Sequence, residues 1–400
     1  MNRSPAIVIK LDSLTGLDIA RILRSYKVPV IGIADDPAHF SCKTNACMEI
    51  HYTNTSDGNL LRTLMSLAPK WKSRCVLVPC SDESVRVISD NRAELGEFYN
   101  FVIPDGVLLD LYMNKVNFYK YAQQNGFPIP ATFYPVNKSD LKEISDRNLF
   151  PYIIKPVKRT ENWLRRFNKK VVEVTDSEHL SRVFDMCSAA GEDVIVQEWI
   201  DGRDSDLYSC IFYYDKDCNR AVTFTSRKLR QWHIENGDAC LAEECRNDEV
   251  LNITMDLLSR VRFKGIGSVE FKLDSATGGY FIIEPNIGRP VSRISLVEAA
   301  GVPIIYTMYC DASGLPLPSN RGQRYTGVKW IALYLDLRSA WAYFSEGKLT
   351  LRDWLKSLSG LKSCADFSMR DPLPFMAILY IGFFVLLKKI WYALAGSSGG

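Results

Sequence analysis

The stretch YFIIEPNIGRPVSR, Tyr280 to Arg293, runs apolar for several residues and then presents Glu284, Asn286, Arg289 and Arg293 almost together. Residues two apart in a strand share a face, so Glu284 and Asn286 point the same way with Pro285 between them. A hairpin folded about Thr277, within SATG, places Glu270 of GSVEFKLD opposite Glu284. Two facing carboxylates with about 5 Å between β-carbons repel each other unless a cation sits between them. Two carboxylates and an amide oxygen are donors that Mg²⁺ accepts, with phosphates completing the octahedron. Arginines just beyond would meet such phosphates bidentately. On these residues alone, a solvated hairpin end with incidental charges explains the stretch equally well.

Earlier segments add to it. Lys155 ends the apolar strand PYIIKP, an awkward place for a point charge without an anionic partner, although lysines at sheet edges are common. Lys115 opens a helix after VLLDLYMNK and offers a second phosphate contact. VIVQEWIDG presents an edge of backbone groups at Glu198 beside Trp199, suited to gripping an adenine through main-chain hydrogen bonds. Asp204 and Asp206, in GRDSDLY, are placed to accept from ribose hydroxyls. The order lysine, lysine, acidic hinge, Glu, Glu-x-Asn is hard to explain piecemeal.

The first hundred residues read differently. AIVIK and VPVIGIADD are short buried strands separated by the helical segment GLDIARILRSY, and RCVLVPCSDES repeats the pattern with a helix opening at Glu83. Alternation at this spacing predicts a parallel, doubly wound sheet. The first strand–helix turn, KLDSLTGLD, carries no GxGxxG, which argues against a dinucleotide site there. Further on, NKVNFYKYAQQNG is helical and closes on a glycine, FPYIIKPVK and DVIVQEWIDG are strands, and the helix from Asp176 to Ala190 starts in TDSEH, where Thr175 or Asp176 can cap.

Composition narrows the class. At 400 residues the chain holds two or three subdomains with a real core. A formal net charge of +3 is too slight to argue for nucleic acid, and no nucleic-acid signature accompanies it. The 11 cysteines form no CxxC pair and only 4 histidines are present, which disfavours a zinc site and fits reduced thiols in the cytosol. The N-terminus lacks the apolar stretch of a signal peptide. The C-terminus is unlike the rest: LPFMAILYIGFFVLL, Leu373 to Leu387, is continuously apolar or aromatic, followed by Lys388, Lys389 and IWYALAG. A spanning helix needs about 20 apolar residues, so membrane attachment as a short span or a monotopic anchor is expected. The basic pair favours the cytoplasmic side, which implies either a re-entrant anchor or an inverted end. The closing GSSGG reads as a cloning scar.

Taken together, the chain resembles the ATP-grasp superfamily, and within it the carboxylate–amine ligase branch similar to carbamoyl-phosphate synthase and D-aspartate ligase. The resemblance covers roughly residues 1–310. It implies an α/β and α+β architecture: a Rossmann-like preceding domain (1–105), a two-lobed ATP-grasp domain (106–310) whose lobes meet near 190–202, a C-terminal amphipathic helical region (311–371), a hydrophobic membrane anchor (372–395) and the scar (396–400). It implies that Lys115 and Lys155 bind phosphates, that Gln197, Glu198, Trp199 and Ile200 form the adenine hinge, and that Glu270, Glu284 and Asn286 ligate Mg²⁺, with Mn²⁺ as an alternative ion. Arg289 would stabilise the transferred phosphoryl group, and Arg227 and Arg230 of SRKLRQW are similar in placement to substrate- and phosphate-contacting residues. One departure stands out. Where many members carry a glycine-rich flap, this chain has VKRTENWLRRFNKKV, with Lys158, Arg159, Arg165, Arg166, Lys169 and Lys170, suited to an anionic acceptor, a membrane surface or plain solvation.

The implied chemistry is ATP-dependent activation of a carboxylate as an acyl phosphate, followed by amine attack and release of ADP and phosphate. No nucleophilic side chain is required, since positioning and charge neutralisation carry phosphoryl transfer. The expected partners are ATP, a carboxylate substrate, an amine acceptor and, through the tail, the membrane, with a homo-oligomer left open and no nucleic acid. The tail would place the acceptor on a membrane-linked envelope or glycan precursor. Two rivals stand beside this reading: a catalytically silent, membrane-tethered ATP-binding sensor or scaffold, and a biotin- or carbamate-type carboxylase, which would need bicarbonate.

Overall fold

The computed structural model of the chain describes residues 3–147, 149–158, 160–234, 237–360 and 362–396, with side chains not described at 362 and 385–396. Three sheets organise it. The first is five-stranded and parallel, in the order β3-β2-β1-β4-β5, with β1 at Ala6–Ile9, β2 at Val30–Ala34, β3 at Glu49–Tyr52, β4 at Cys75–Pro79 and β5 at Tyr99–Asn100. Every residue of β1, β2 and β4 is buried, because helices cover both faces. This explains why those strands read as unbroken apolar runs rather than as alternating ones. Ser13 and Ser81 cap the helices Leu14–Ser25 and Asp82–Asp90 through their side chains. At Gly16 an added β-carbon would lie 2.4 Å from the Lys10 carbonyl, so a glycine is required where this helix meets the end of β1.

A helical pair, Gly106–Met113 and Lys115–Gln124, leads into the second sheet. That sheet is four-stranded in the order β6-β9-β7-β8, with β6 at Thr132–Phe133, β7 at Tyr152–Pro156, β8 at Val172–Val174 and β9 at Val194–Glu198. With the helices Lys138–Asp146 and Ser177–Ser188 it encloses its own core around Tyr152, Ile154, Trp163 and Phe184.

The third sheet runs β14-β13-β10-β11-β12-β15-β16. Its strands are β10 at Leu207–Tyr214, β11 at Arg220–Trp232, β12 at Asp238–Glu244, β13 at Gly265–Leu273, β14 at Tyr280–Ile287, β15 at Lys329–Ile331 and β16 at Lys362–Cys364. One face packs on the helix Asp248–Ser259 and on the pair at 106–124, and the other shares a core with the first sheet and the helices at 294–312. The region 311–371, expected to be helical, also supplies β15 and β16. These three-residue strands extend the third sheet and are too short to carry a periodic signal. From Leu373 to Gly396 the chain is one helix. Among the described residues no helix is long and apolar enough to cross a membrane, so the expected short span finds no support.

Candidate active site

The hairpin register is the expected one: Glu270 is the Cα partner of Glu284, and Ser268 of Asn286. The next pair is Phe271 with Ile282, so Ile283 is an extra residue, a bulge that re-aims the end of β14. Following the register across the sheet, Glu284, Glu270, Ser209, Ser226 and Glu244 form one row on one face of β14, β13, β10, β11 and β12.

Glu270 is not left to repel its neighbour. Lys228, two residues along β11 from Ser226 and therefore on the same face, brings its Nζ to 3.1 Å from Oε1, and Arg293 brings Nη2 to 3.6 Å. Arg293 also donates to Ser209 Oγ at 2.6 Å. Burial pushes the Glu270 carboxyl up, but Lys228 and Arg293 outweigh it and hold it below the ordinary range. Glu284 is exposed, and its carboxylate has no ion-pair partner within contact distance among the described residues. Asn286 Oδ1 accepts from Arg289 Nη2 at 2.8 Å, and Arg289 pairs through Nε with Asp82, at the start of the helix Asp82–Asp90.

The second sheet supplies the opposing wall. Lys155, only 7% exposed, donates to Tyr119 Oη at 2.9 Å and lies 4.7 Å from that ring. Tyr119 passes the bond on to the carbonyl of the bulged Ile283. Burial lowers the Lys155 pKa to about 8, with the Glu284 charge acting the other way. A small cleft, partly open to solvent, is lined by Asp82, Lys115, Tyr119, Ile283, Glu284 and Asn286 among others. Lys115 is positioned by Asn114, whose Oδ1 accepts from the amides of Val116 and Asn117 at the helix start. Lys115, Glu284 and Asn286 thus line one cleft, Lys155 joins it through Tyr119, and Glu270 and Arg289 adjoin it through Glu284 and Asn286.

Among the described residues no three His, Cys, Asp or Glu side chains converge. The expected ligands Glu270, Glu284 and Asn286 offer two carboxylates and an amide oxygen instead. Hard oxygen donors with Glu284 open toward the cavity fit a hexacoordinate cation that retains other oxygen ligands.

Other expected residues lie elsewhere. Arg227 pairs in register with Tyr208, one residue from Ser209, so it stands on the opposite face of the sheet from Glu270 and engages Glu243 at 2.6 Å. The site face belongs to Lys228, which sequence reading missed because the parity of an isolated strand cannot be assigned without its partner. Arg230 follows an irregularity in the β11–β12 pairing and grips Asp336 bidentately at 2.8 and 3.0 Å, deep in the protein. Asp204 is buried and accepts from Gln231 Nε2 at 2.7 Å through one oxygen and from Tyr343 Oη through the other. Asp206 accepts from the Arg203 amide at 2.6 Å and closes a short turn.

At the hinge, Gln197 is buried and its side chain donates to Thr132 Oγ1 at 2.7 Å. The Glu198 and Trp199 amides are already bonded, to the Ala131 and Pro151 carbonyls, so Ile200 is the first hinge residue whose amide is not committed in this way. Part of the basic segment is helical. Residues Glu161–Phe167 form a helix pinned by buried Trp163, whose Nε1 donates to the Lys169 carbonyl at 2.8 Å. Lys170 reaches Asp238 of the third sheet at 3.0 Å. Arg159 lies outside the described residues, as do residues 397–400 of the expected scar and the side chains of Lys388 and Lys389.

No family model matches the chain. A D-aspartate ligase of Enterococcus faecium (strain Aus0004) is 23% identical over 244 residues, and the aligned part is 58% of each chain's length. Among solved structures, the N5-carboxyaminoimidazole synthetase of Staphylococcus aureus complexed with ADP matches with a TM-score of 0.63 at 15% identity, covering 81% of this chain and 80% of that one. The biotin carboxylase domain dimer of the Hydrogenobacter thermophilus 2-oxoglutarate carboxylase, in complex with MgADP, ADP and bicarbonate, matches with a TM-score of 0.62 at 13% identity, covering 80% and 72%. The fold is that of the ATP-grasp enzymes. The curated relative adds a ligase, of which this chain spans about 58%.

Proposed function

We propose that the chain is an ATP- and magnesium-dependent ligase that joins a carboxylate to an amine through an acyl phosphate, releasing ADP and phosphate. The observation that carries this is the cleft shared by Lys115, Glu284 and Asn286, with Glu270 paired to Glu284 and Lys155 reaching its wall through Tyr119. Lys115 and Lys155 hold the phosphates, and Ile200 with the rest of the hinge holds the base. Glu270, Glu284 and Asn286 would hold magnesium, which would neutralise charge on the phosphates. Lys228 stands beside Glu270 where charge develops as the γ-phosphoryl group moves to the substrate carboxylate. Arg289, released from Asp82, swings onto that group. The amine then attacks the acyl carbon, the C–N bond forms, the C–O bond to phosphate breaks, and the amine proton is lost to solvent.

The likeness to a D-aspartate ligase supports an amino-acid carboxylate as the activated substrate. The terminal helix, exposed at Leu373, Met376, Leu379, Tyr380 and Phe383, supports membrane anchoring, to which this reading adds the cytoplasmic side and a membrane-linked acceptor. Phosphorus NMR of the protein with Mg-ATP, D-aspartate and hydroxylamine tests the reaction, with Glu284→Gln as the control. ADP and phosphate formed only by the unaltered protein are expected. AMP and pyrophosphate would overturn the phosphate site, and tight ATP binding without turnover on any amino acid would favour the sensor.

A further inference from the structure

The helix Leu333–Ser345 buries polar side chains beside Leu335 and Ala340 and leaves large apolar side chains exposed. Its buried positions are Asp336, Ser339 and Ala340, and Tyr343 on the same side reaches Asp204. Asp336 is held there by Arg230 and by Trp354 Nε1 at 3.0 Å, and Ser339 Oγ donates to the Gln231 carbonyl at 2.9 Å. The helix cannot roll over without breaking that buried ion pair. Outward, three and four residues apart, stand Tyr334, Leu337 (49% exposed) and Trp341 (75%). The next helix, Leu351–Ser357, repeats the arrangement: Trp354 turns in against Phe344, while Leu351 (61%) and Leu355 (56%) face out.

Two further observations say what covers these faces. Among the described side chains of residues 333–371, the exposed charges are Arg338, Lys348, Arg352, Lys356 and Arg370 against Glu346 and Asp353, five cations to two carboxylates. The surface is also continuous with the terminal helix, since exposed Phe367 stacks edge-on against Phe375 at 5.3 Å. The root of that helix is fixed, because Asp371 accepts from Arg21 Nε at 2.8 Å, Thr44 Oγ1 at 2.6 Å and the Asn45 amide at 2.9 Å. A helix rooted this firmly cannot enter a bilayer without setting the adjoining helices at a defined distance from it.

We propose that the outward faces of Leu333–Ser345 and Leu351–Ser357 form an interfacial surface for anionic lipid, with Trp341, Leu337, Leu351 and Leu355 in the headgroup region and the basic residues on the phosphates. This rests on the membrane anchoring proposed above and adds a second, separable contact that fixes how the catalytic cleft sits over the membrane.

The test uses the full-length protein with vesicles of phosphatidylcholine, alone or mixed with phosphatidylglycerol, carrying brominated acyl chains. Trp391→Phe removes the tryptophan of the terminal helix, so quenching in that background compared with Trp341→Phe/Trp391→Phe reports Trp341. The expected result is quenching that disappears with Trp341, and flotation with phosphatidylglycerol vesicles weakened at least about tenfold by Leu337→Glu/Trp341→Glu. Both positions are exposed, so these variants fold. A protein that floats with Trp341 unquenched, and with the double glutamate variant unaffected, overturns this inference and leaves the anchor standing. A protein that floats with neither vesicle overturns the anchor and this inference together.

Discussion

Glu270 and Glu284 face each other across β13 and β14, yet among the described residues only Glu270 has cationic partners in contact, Lys228 at 3.1 Å and Arg293 at 3.6 Å. The asymmetry assigns different parts to the two carboxylates. Glu270 is held ionised and fixed in place, whereas Glu284 remains open to the cavity and available to a cation.

Glu284→Gln should therefore lower turnover at least about 100-fold, the scale set by removing one charge-stabilising group from an active site. The side chain is exposed, so the thermal midpoint should move little. A variant with ordinary turnover, or one that fails to fold, would count against the metal assignment.

Lys228 and Arg227 are sequence neighbours on opposite faces of β11, which makes them a matched pair. Lys228→Met should lose about 100-fold or more in kcat/KM. Arg227→Met should stay within a few-fold, since its partly exposed pair with Glu243 is worth at most about 1 kcal/mol. Equal losses at both positions would show that the strand's register was misassigned.

The register also marks how far the sequence could be read. β1, β2, β4, β7, β9 and the β13–β14 hairpin were legible because each is a bounded apolar run or a pair joined by a recognisable turn, and the hairpin's symmetry about Thr277 placed Glu270 opposite Glu284. β10, β11 and β12 were not delineated: LYSCIFYY has no clean alternation, and β11 carries irregularities that break its period. Those irregularities decide which of Arg227, Lys228 and Arg230 reaches the site. The surroundings of Asp204 were not legible for another reason, its partner Tyr343 being 139 residues away. Tyr119, which links Lys155 to the bulge at Ile283, left no signal beyond an aromatic residue on a helix.

Lys155 gives a pH signature. Its pKa is about 8 when folded against an ordinary 10.5, so between those values the unfolded chain binds more protons and stability should rise with pH. Nucleotide affinity should move the opposite way. The charged lysine serves the phosphates, so ATP affinity should fall above pH 8 by up to about tenfold per pH unit. Calorimetric titration between pH 7 and about 9.5 checks this, and Lys155→Met should bind ATP weakly with that dependence removed. A flat profile in the unaltered protein would mean that Lys155 does not touch the nucleotide.

Asp336→Asn should destabilise the protein by about 3–5 kcal/mol by stranding buried Arg230. Turnover per folded molecule should persist, because neither residue reaches the cleft. Denaturant titration paired with active-site counting separates the two effects, and a loss of turnover at unchanged stability would return Arg230 to the catalytic set.

The proposed acyl phosphate is tested most directly by the fate of the carboxylate oxygen. D-Aspartate labelled with ¹⁸O in its carboxylates, incubated with Mg-ATP and hydroxylamine, should transfer one label to the phosphate released, seen as an isotope shift in the phosphorus spectrum. Label arriving in AMP, or unlabelled phosphate accompanying product, would contradict the transfer of the γ-phosphoryl group to the carboxylate on which the whole reading of this site depends.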